Sequence, residues 1–296
     1  MKNPASAPPL PLPLPLPEPN RRFARRFLRQ RNAVVGAIVV ACVLIIALIA
    51  PLIEPQPIGD TDLLNAWSPP CAGNLLGTDK LGRDTLSRLV AGTRNSLVVA
   101  GTVLAITLVV GSVLGMAAGF LGGRLDGILM RIVDAILAFP EVIIAVLLAS
   151  ILGPGITTVI VTLALSWWPG IARLTRSLVL VLREEPFIDA AVVSGTPTWR
   201  IFQWHLLPNI AAPLVVRASV GVGFIIMAEA SLSFLGLGIQ EPEASWGGMI
   251  RDGLPVLRSD PYLALFSSLA LGVTIIGFNL LGDGLRDILD PRLESR

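Results

Sequence analysis

Long apolar runs without charged residues are the feature that most constrains how this sequence can fold. Hydrophobic residues make up 53% of its 296 positions and charged residues only 15%, which disfavours a soluble globular domain. A run of roughly 20 helical residues crosses the hydrocarbon core of a bilayer. The runs do not alternate apolar and polar residues as barrel strands do, and a helix satisfies its own backbone groups in lipid. We therefore predict an all-α, polytopic membrane protein.

The apolar runs divide into six predicted transmembrane helices. A Gly-Pro-Gly turn at 153–155 separates the third run from the fourth. Gly111, Gly115 and Gly119 recur at every fourth position of the second run, so we predict that another helix packs closely there. Pro169 removes a backbone donor inside the fourth run and predicts a break or kink. The six runs are 33–53, 96–121, 127–152, 156–181, 210–235 and 262–281.

Two segments of unusual composition precede the first run. Residues 1–20 alternate Pro and Leu, which favours extended polyproline II structure, and we predict a disordered cytoplasmic tail. Five arginines with interspersed Phe and Leu follow at 21–29. This pattern is typical of an interfacial helix attracted to anionic lipid head groups. A simple stop-transfer charge cluster explains it equally well.

The distribution of Lys and Arg predicts the orientation of the chain. If the N-terminus is cytoplasmic, nearly all basic residues outside the external loops lie in or beside cytoplasmic segments, as the positive-inside rule requires. Both termini and the polar segment 189–209 are then cytoplasmic. The formal net charge of +2 gives no reason to expect nucleic acid as a partner. The basic residues of the external loops are Lys80, Arg83, Arg88, Arg94, Arg251 and Arg258.

The polar segment 189–209 has the pattern of two short helices joined at a glycine. Pro186 can begin the first helix, and Gly195 suits the left-handed position after its last turn. Thr196 and the proline after it supply an N-cap and a first residue for the second helix, which Pro208 is expected to end. Such a compact helical pair at a membrane surface is suited to docking. The alternative to a docking element is an ordinary cytoplasmic helical hairpin.

This segment closely resembles the EAA loop of binding-protein-dependent ABC importer permeases. The resemblance rests on an Asp-Ala-Ala start, a glycine and a His-Leu-Leu-Pro run at matching spacing. It implies that the loop 182–209 carries a coupling helix that docks into a groove of a separate ATPase subunit. The family usually has Glu where this chain has Asp, which preserves the charge. The docking residues that the resemblance implies are Asp189, Ala190, Ala191, Gly195, Thr196 and Pro208.

Segments 76–97, 229–247 and 279–292 resemble the peptide and nickel subfamily of these permeases, specifically the second permease of dipeptide and oligopeptide importers. The resemblance implies the type I ABC importer permease (MetI-like) fold in the inner membrane. It implies a complex with a second, homologous permease, two ABC ATPases and an external solute-binding protein. The implied solutes are dipeptides, oligopeptides or similar small solutes, including nickel chelates and glutathione-like compounds.

These observations divide the chain into three predicted parts. Residues 1–20 form the tail, and residues 21–95 contain the interfacial helix, the first transmembrane helix and an external loop. Residues 96–296 form the permease core with five transmembrane helices and the coupling loop 182–209.

Sequence motifs for ATP hydrolysis, metal binding and nucleophilic hydrolysis are missing. The only lysines, Lys2 and Lys80, do not end a phosphate-binding P-loop. A single histidine, His205, cannot build a multi-histidine metal cage, and no G-x-S-x-G elbow occurs. We therefore expect a non-enzymatic subunit without catalytic, cofactor-binding or metal-binding residues. The resemblance implies that ATP and magnesium are used by the partner ATPases.

Charged residues inside the predicted spans are candidates for the solute path or a gate, because a charge in a bilayer is costly unless it faces protein or water. These candidates are Glu229, Glu141 and Arg217. For Glu229, an interhelical hydrogen bond or contact near the outer gate is the alternative. Arg131 and Asp134 lie one turn apart in the third span and are expected to pair with each other.

Two other functions stay open at this point. A secondary transporter driven by an ion gradient would favour interrupted helices in corresponding halves of the chain, and Pro169 marks the one interruption that the sequence indicates. An intramembrane hydrolase lacks a nucleophile and base. The resemblance favours an importer in which ATP-driven closure of the ATPases moves the segment 189–209 as a rigid lever between inward-open and outward-open states.

Overall fold

A computed structural model describes residues 26–289 of the chain as a bundle of helices. The predicted tail 1–20 and most of the segment 21–29 lie outside the described residues. Apart from one isolated bridge between Thr78 and Asp84, the described residues contain no strand pairing, and the all-α class is confirmed. The helices are α1 (Arg31–Ile53), α2 (Thr85–Leu121), α3 (Gly123–Leu137), α4 (Glu141–Leu152), α5 (Ile156–Leu182), α6 (Pro186–Val193), α7 (Thr198–Phe234), α8 (Trp246–Gly253) and α9 (Tyr262–Leu289).

Five of these helices, α1, α2, α5, α7 and α9, are long and apolar enough to cross a membrane. α3 and α4 pass the same test only together, and they meet at an angle of 86°. Counting this bent pair as one span gives the six that were predicted. One continuous helix at 127–152 is nevertheless wrong, because Pro140 stands between the two as the N-cap of α4 and its nitrogen has no hydrogen to donate. α2 also begins at Thr85 rather than at the predicted residue 96.

The described ends of the chain lie at the same end of the bundle as α6. The first half of α1 packs on the last half of α9, where a Cβ atom on Gly36 would come within 2.4 Å of the Leu281 nitrogen. Gly284 faces Ala33 in the same way. α9 runs antiparallel to α7, which begins beside α6, so all three meet at one end. This agrees with the predicted placement on one side, whereas the assignment of that side to the cytoplasm stays a prediction.

The strip of Gly111, Gly115 and Gly119 on α2 packs against α5, as predicted. A Cβ atom on Gly115 would lie 2.5 Å from the carbonyl oxygen of Ala172, and one on Gly119 would lie 2.9 Å from the Val179 side chain. Only glycine lets the two backbones approach this closely. The two helices consequently share the most extensive contact in the molecule.

α5 continues through Pro169 from Ile156 to Leu182, so a break in the fourth span is wrong, whereas a kink there stays a prediction. Pro169 is buried, and the neighbouring Trp168 carbonyl lies directly against Gly111 of α2. Packing along the glycine strip therefore keeps α5 helical across the one hydrogen bond that the proline cannot make.

The apolar side chains form two main cores at opposite ends of the bundle. One surrounds Trp246 and joins α2, α4, α5, α7 and α9. The Trp246 indole, which is buried, donates to the Leu89 carbonyl at 3.2 Å. The other core lies at the α6 end, and it fixes the position of the predicted coupling helix.

Candidate functional site

The predicted coupling helix is present as α6, and its first turn is built as the sequence indicates. Glu185 has extended backbone angles at the N-cap, and Pro186 occupies the first turn. Proline is favoured there because its missing N–H would have no partner inside the helix. We call residues 186–209 the α6 segment.

Gly195 ends α6 in a left-handed conformation, with φ of +71°. The Gly195 nitrogen donates to the Val192 carbonyl, and the Thr196 nitrogen donates to the Ala191 carbonyl, both at 3.0 Å. These two bonds form a Schellman motif, which satisfies the last carbonyls of a helix and requires a positive φ at the glycine position. The predicted left-handed position of Gly195 after the last turn of α6 is confirmed, whereas its role in ATPase docking stays a prediction.

The second helix of the α6 segment differs from the prediction in both its start and its end. Its N-cap is Pro197 rather than Thr196, and the helix begins at Thr198. Pro208 does not end it, because α7 continues to Phe234. A π-helical stretch, Ile201–Leu206, ends two residues before this proline and adapts the hydrogen-bond pattern near the position where the proline has no N–H. The expected short second helix is therefore the first part of the fifth span.

The inner face of the α6 segment is anchored on the transmembrane helices. Ile188 and Ala191 of α6 are buried together with Ile201 and Leu206 of α7. They join a core that includes Met116 of α2 and Ile171 and Val179 of α5. The Phe120 and Phe202 rings add an edge-to-face contact, with centroids 5.6 Å apart. α6 is thus packed in one core with three membrane helices, α2, α5 and α7.

The outer face of the α6 segment exposes several large apolar side chains among polar ones. Val193 is 88% exposed, Trp204 69% and Trp199 59%. Asp189 and Ala190 are also exposed, Thr196 is half-buried, and Pro208 is exposed. Two tryptophans this exposed within one short segment make it a candidate interaction surface.

Ion pairs fasten α3 to the half of α5 that leads into α6. Arg176 donates to both carboxylate oxygens of Asp126, at 2.5 and 2.6 Å. Asp134 pairs with Arg173 of α5, so its predicted pairing with Arg131 is wrong. The reason is the tertiary packing of α3 on α5, which the spacing within one helix does not reveal.

Glu229 is fully buried between α2 and α7. Its carboxylate accepts hydrogen bonds from the Ser96 hydroxyl at 3.0 Å and from the Ser233 hydroxyl at 2.8 Å. Ser233 in turn accepts from the Ile239 nitrogen at 3.3 Å. Glu229 therefore makes an interhelical hydrogen bond, which was one of its two sequence interpretations. A role in the solute path stays a prediction.

Glu141 and Arg217 lie on neighbouring helices, apart from Glu229. Glu141 is the exposed first residue of α4, and Arg217 of α7 is near enough to act on its carboxylate electrostatically. The guanidinium carbon of Arg217 lies 5.7 Å from the centroid of the Trp167 ring on α5. This distance is within the range of a cation–π contact.

A network of buried ion pairs at the end of the bundle opposite α6 was missed by sequence reasoning. Asp79 lies 2.6 Å from Arg83 and 3.3 Å from Arg88, and all three side chains are at most 4% exposed. Glu241 lies 2.9 Å from Arg83 and 3.0 Å from Lys80. The alternation of acids and bases at 79–84 was the available signal, but nothing in it identified Glu241 as a partner.

This network shifts the proton affinities of its members. Partial burial alone would raise the pKa of Glu241, but the hydrogen bonds from Arg83 and Lys80 outweigh burial and lower its pKa to about 2. Burial opposes the charge of Lys80, yet its hydrogen bonds to Asp252 and Glu241 raise its pKa. The loop before α2 and the segment after α7 are therefore held together by ionised groups over the ordinary pH range.

Comparison with known families places most of the chain in one group. The family described as binding-protein-dependent transport system inner membrane component matches residues 111–295. The family described as N-terminal TM domain of oligopeptide transport permease C matches residues 19–70. Together these matches include the α6 segment and the first transmembrane helix.

Several curated proteins are similar over most of their length. The probable D,D-dipeptide transport system permease protein of Escherichia coli is 37% identical over 78% of this chain and 78% of its own. The glutathione transport system permease protein of Pectobacterium atrosepticum is 41% identical over 80% of this chain and 78% of its own. The nickel transport system permease protein of Escherichia coli is 40% identical over 81% of this chain and 86% of its own.

Proposed function

The chain belongs to the family of binding-protein-dependent transport system inner membrane components, and on this premise we propose that it is the permease subunit of an ATP-driven ABC importer for peptides. The observation that carries the proposal is the α6 segment. Its inner face is locked into the core by Ile188 and Ala191, while its outer face exposes Trp199 and Trp204. A segment with these two faces can bind a partner on its outer face and transmit a displacement to the transmembrane helices through its inner face.

The force would travel through covalent and packing connections of α6. α6 follows α5 directly and precedes α7 across the Gly195 joint. The Asp126–Arg176 ion pair extends the connection to α3. Closure of two ATPase subunits on binding ATP would displace α6, and these helices would move with it between inward-open and outward-open arrangements.

The proposed solutes are dipeptides and oligopeptides. Similar permeases are named for D,D-dipeptide, glutathione and nickel transport, so small peptides and comparable polar solutes fit this chain best. We propose a complex in the inner membrane with a second, homologous permease, two ATPases and an external solute-binding protein. ATP and magnesium would act in the ATPases, and the α6 end of the bundle would face the cytoplasm.

Co-purification and reconstitution test this proposal. The detergent-extracted complex, expressed with its neighbouring transporter genes, should retain ATPase subunits. Vesicles containing it should accumulate dipeptide only with ATP and the solute-binding protein. Accumulation by this chain without ATPases, driven by an ion gradient, would instead establish the secondary transporter.

A further inference from the structure

α3 lies across the direction of the membrane spans. Its neighbour α4 packs on the first half of α5, with Ala145 and Ala149 in the same buried core as Val159 and Leu163, so α4 follows the direction of that span. α3 meets α4 at an angle of 86°. The bend therefore turns α3 towards the plane of the membrane.

Two ion pairs between α3 and α5 support this crossing. Asp126 of α3 pairs with Arg176 at 2.5 and 2.6 Å, and Asp134 pairs with Arg173. The two acids are eight residues apart, or about 12 Å along α3, whereas the two arginines are three residues apart, or about 4.5 Å along α5. Helices that run side by side would keep these separations similar. α3 thus passes obliquely over the half of α5 that leads into α6.

The surface of α3 divides into a buried face, an arginine edge and an apolar stripe. Val133 on the buried face is completely inaccessible. The arginine edge consists of Arg124 and Arg131, which lie two turns apart, on the side of the helix opposite Val133, and are exposed. The apolar stripe lies between these two faces and recurs at helical spacing. Its members are Leu125, which is 41% exposed, Ile128, which is 62% exposed, and Ile132, which is 46% exposed.

The arginine edge carries positive charge that no protein group neutralises in the described part of the chain. Neither Arg124 nor Arg131 makes a hydrogen bond or an ion pair with another residue of 26–289. The acids of α3 are not available to them, because Asp126 and Asp134 are both bound to α5. Aliphatic side chains beside unpaired guanidinium groups are complementary to acyl chains beside anionic head groups.

We propose that α3 lies in the membrane interface on the α6 side of the bundle and binds an anionic phospholipid there. Arg124 and Arg131 donate hydrogen bonds to the lipid phosphate, and the apolar stripe is buried among the acyl chains. Because α3 is fastened to α5 by its two ion pairs, this lipid contact also anchors the half of α5 that leads into α6. The inference goes beyond the proposed function, since it requires neither ATP nor a particular solute.

Fluorescence quenching by brominated lipids tests whether the apolar stripe contacts acyl chains. A fluorescent amino acid replaces Ile128 in the complex with its partner subunits, which is placed in phosphatidylcholine nanodiscs. Phosphatidylcholine brominated on its acyl chains should quench this label strongly. The same label in place of Leu64, which is 97% exposed before α2, should be quenched little. A label at position 128 that is quenched no more than the one at position 64 would show that protein or water covers the stripe, and would overturn the inference.

Brominated phosphatidylglycerol tests the arginine edge with the same label at position 128. At equal mole fraction it should be preferred over brominated phosphatidylcholine by about five-fold for each arginine, and the preference should weaken at high salt. Arg124→Gln combined with Arg131→Gln should make the two lipids quench equally, without changing quenching by phosphatidylcholine.

A matched control is Arg258→Gln, because Arg258 is also exposed but precedes α9 at the opposite end of the bundle. This variant should keep the full preference for phosphatidylglycerol. Equal quenching by the two lipids in the unaltered complex would overturn head-group binding. A preference that survives the double substitution on α3 would do the same.

Discussion

The Nη2 atom of Arg83 donates a 2.9 Å hydrogen bond to the Oε1 atom of Glu241, a residue 158 positions further along the chain. Arg83 is almost completely buried, and it also donates to Asp79. Glu241 follows the C-terminal end of α7, whereas Arg83 precedes α2. The contact therefore ties the loop before α2 to the segment after α7 at the end of the bundle opposite α6.

This contact predicts a pH-dependent contribution to stability. The pKa of Glu241 is about 2 in the folded protein, below its ordinary value of 4.5. Stabilisation is therefore fully present above about pH 4.5 and is lost as the pH falls towards about 2. The difference in thermal midpoint between the unaltered protein and Glu241→Gln should be largest near neutral pH and shrink below about pH 4.5. Glu54→Gln serves as the control, and a difference that stays constant with pH would contradict the prediction.

Replacing a glycine of α2 by alanine should have different effects at two positions, because only one of them lies in the contact with α5. Gly115→Ala should destabilise the protein by about 1–3 kcal/mol, because the new Cβ atom would meet the Ala172 carbonyl oxygen at 2.5 Å. Gly101→Ala meets nothing within 4 Å and should be neutral or stabilising. Thermal unfolding in detergent measures both. Equal effects at the two positions would show that close packing is not the cause.

Local patterns predicted the helices and the glycine positions of this chain, but they failed at prolines and could not identify long-range partners. The glycine strip of α2 was recognised because its spacing identifies a helix face, and Gly195 because the left-handed joint needs a glycine. Pro208 was misread as a stop, since a π-helical stretch can carry a helix through a proline. The Arg83–Glu241 contact joins residues far apart in sequence, and no periodicity encodes such a pairing.

The Gly195 joint predicts that its backbone conformation is needed for coupling. A Cβ atom at this position would meet nothing within 4 Å, but φ is +71°, a conformation that costs a β-branched residue about 1–2 kcal/mol or more. Gly195→Val should therefore separate ATP hydrolysis from uptake while the complex still assembles. Gly195→Asn should retain coupling, because Asn tolerates this conformation. The ratio of uptake to ATP hydrolysis is the measurement, and a normal ratio in Gly195→Val would argue against the lever.

The buried position of Glu229 predicts that its loss is mainly a structural defect. Glu229→Ala leaves a cavity and removes the acceptor of the Ser96 and Ser233 hydroxyls, so we expect a loss of about 2–4 kcal/mol. Glu229→Gln keeps the volume, and the two hydroxyls can rotate to suit an amide, so its loss should be much smaller. Thermal unfolding compares the two variants. If Glu229→Gln is stable but transports nothing, the carboxylate acts in the solute path instead.

Because Trp204 lies on the exposed face of the α6 segment, its substitution should weaken binding of the ATPases without affecting folding. Trp204 is 69% exposed, so Trp204→Ala should change the free energy of unfolding by no more than about 0.5 kcal/mol. If Trp204 is a central contact of the ATPase groove, the same change should weaken binding by about 2 kcal/mol, or roughly 30-fold in Kd. Leu64→Ala is the matched control, because Leu64 is 97% exposed and lies before α2, at the opposite end of the bundle. Titration of the purified ATPases against each variant measures Kd, and identical values for the two variants would place the docking surface elsewhere.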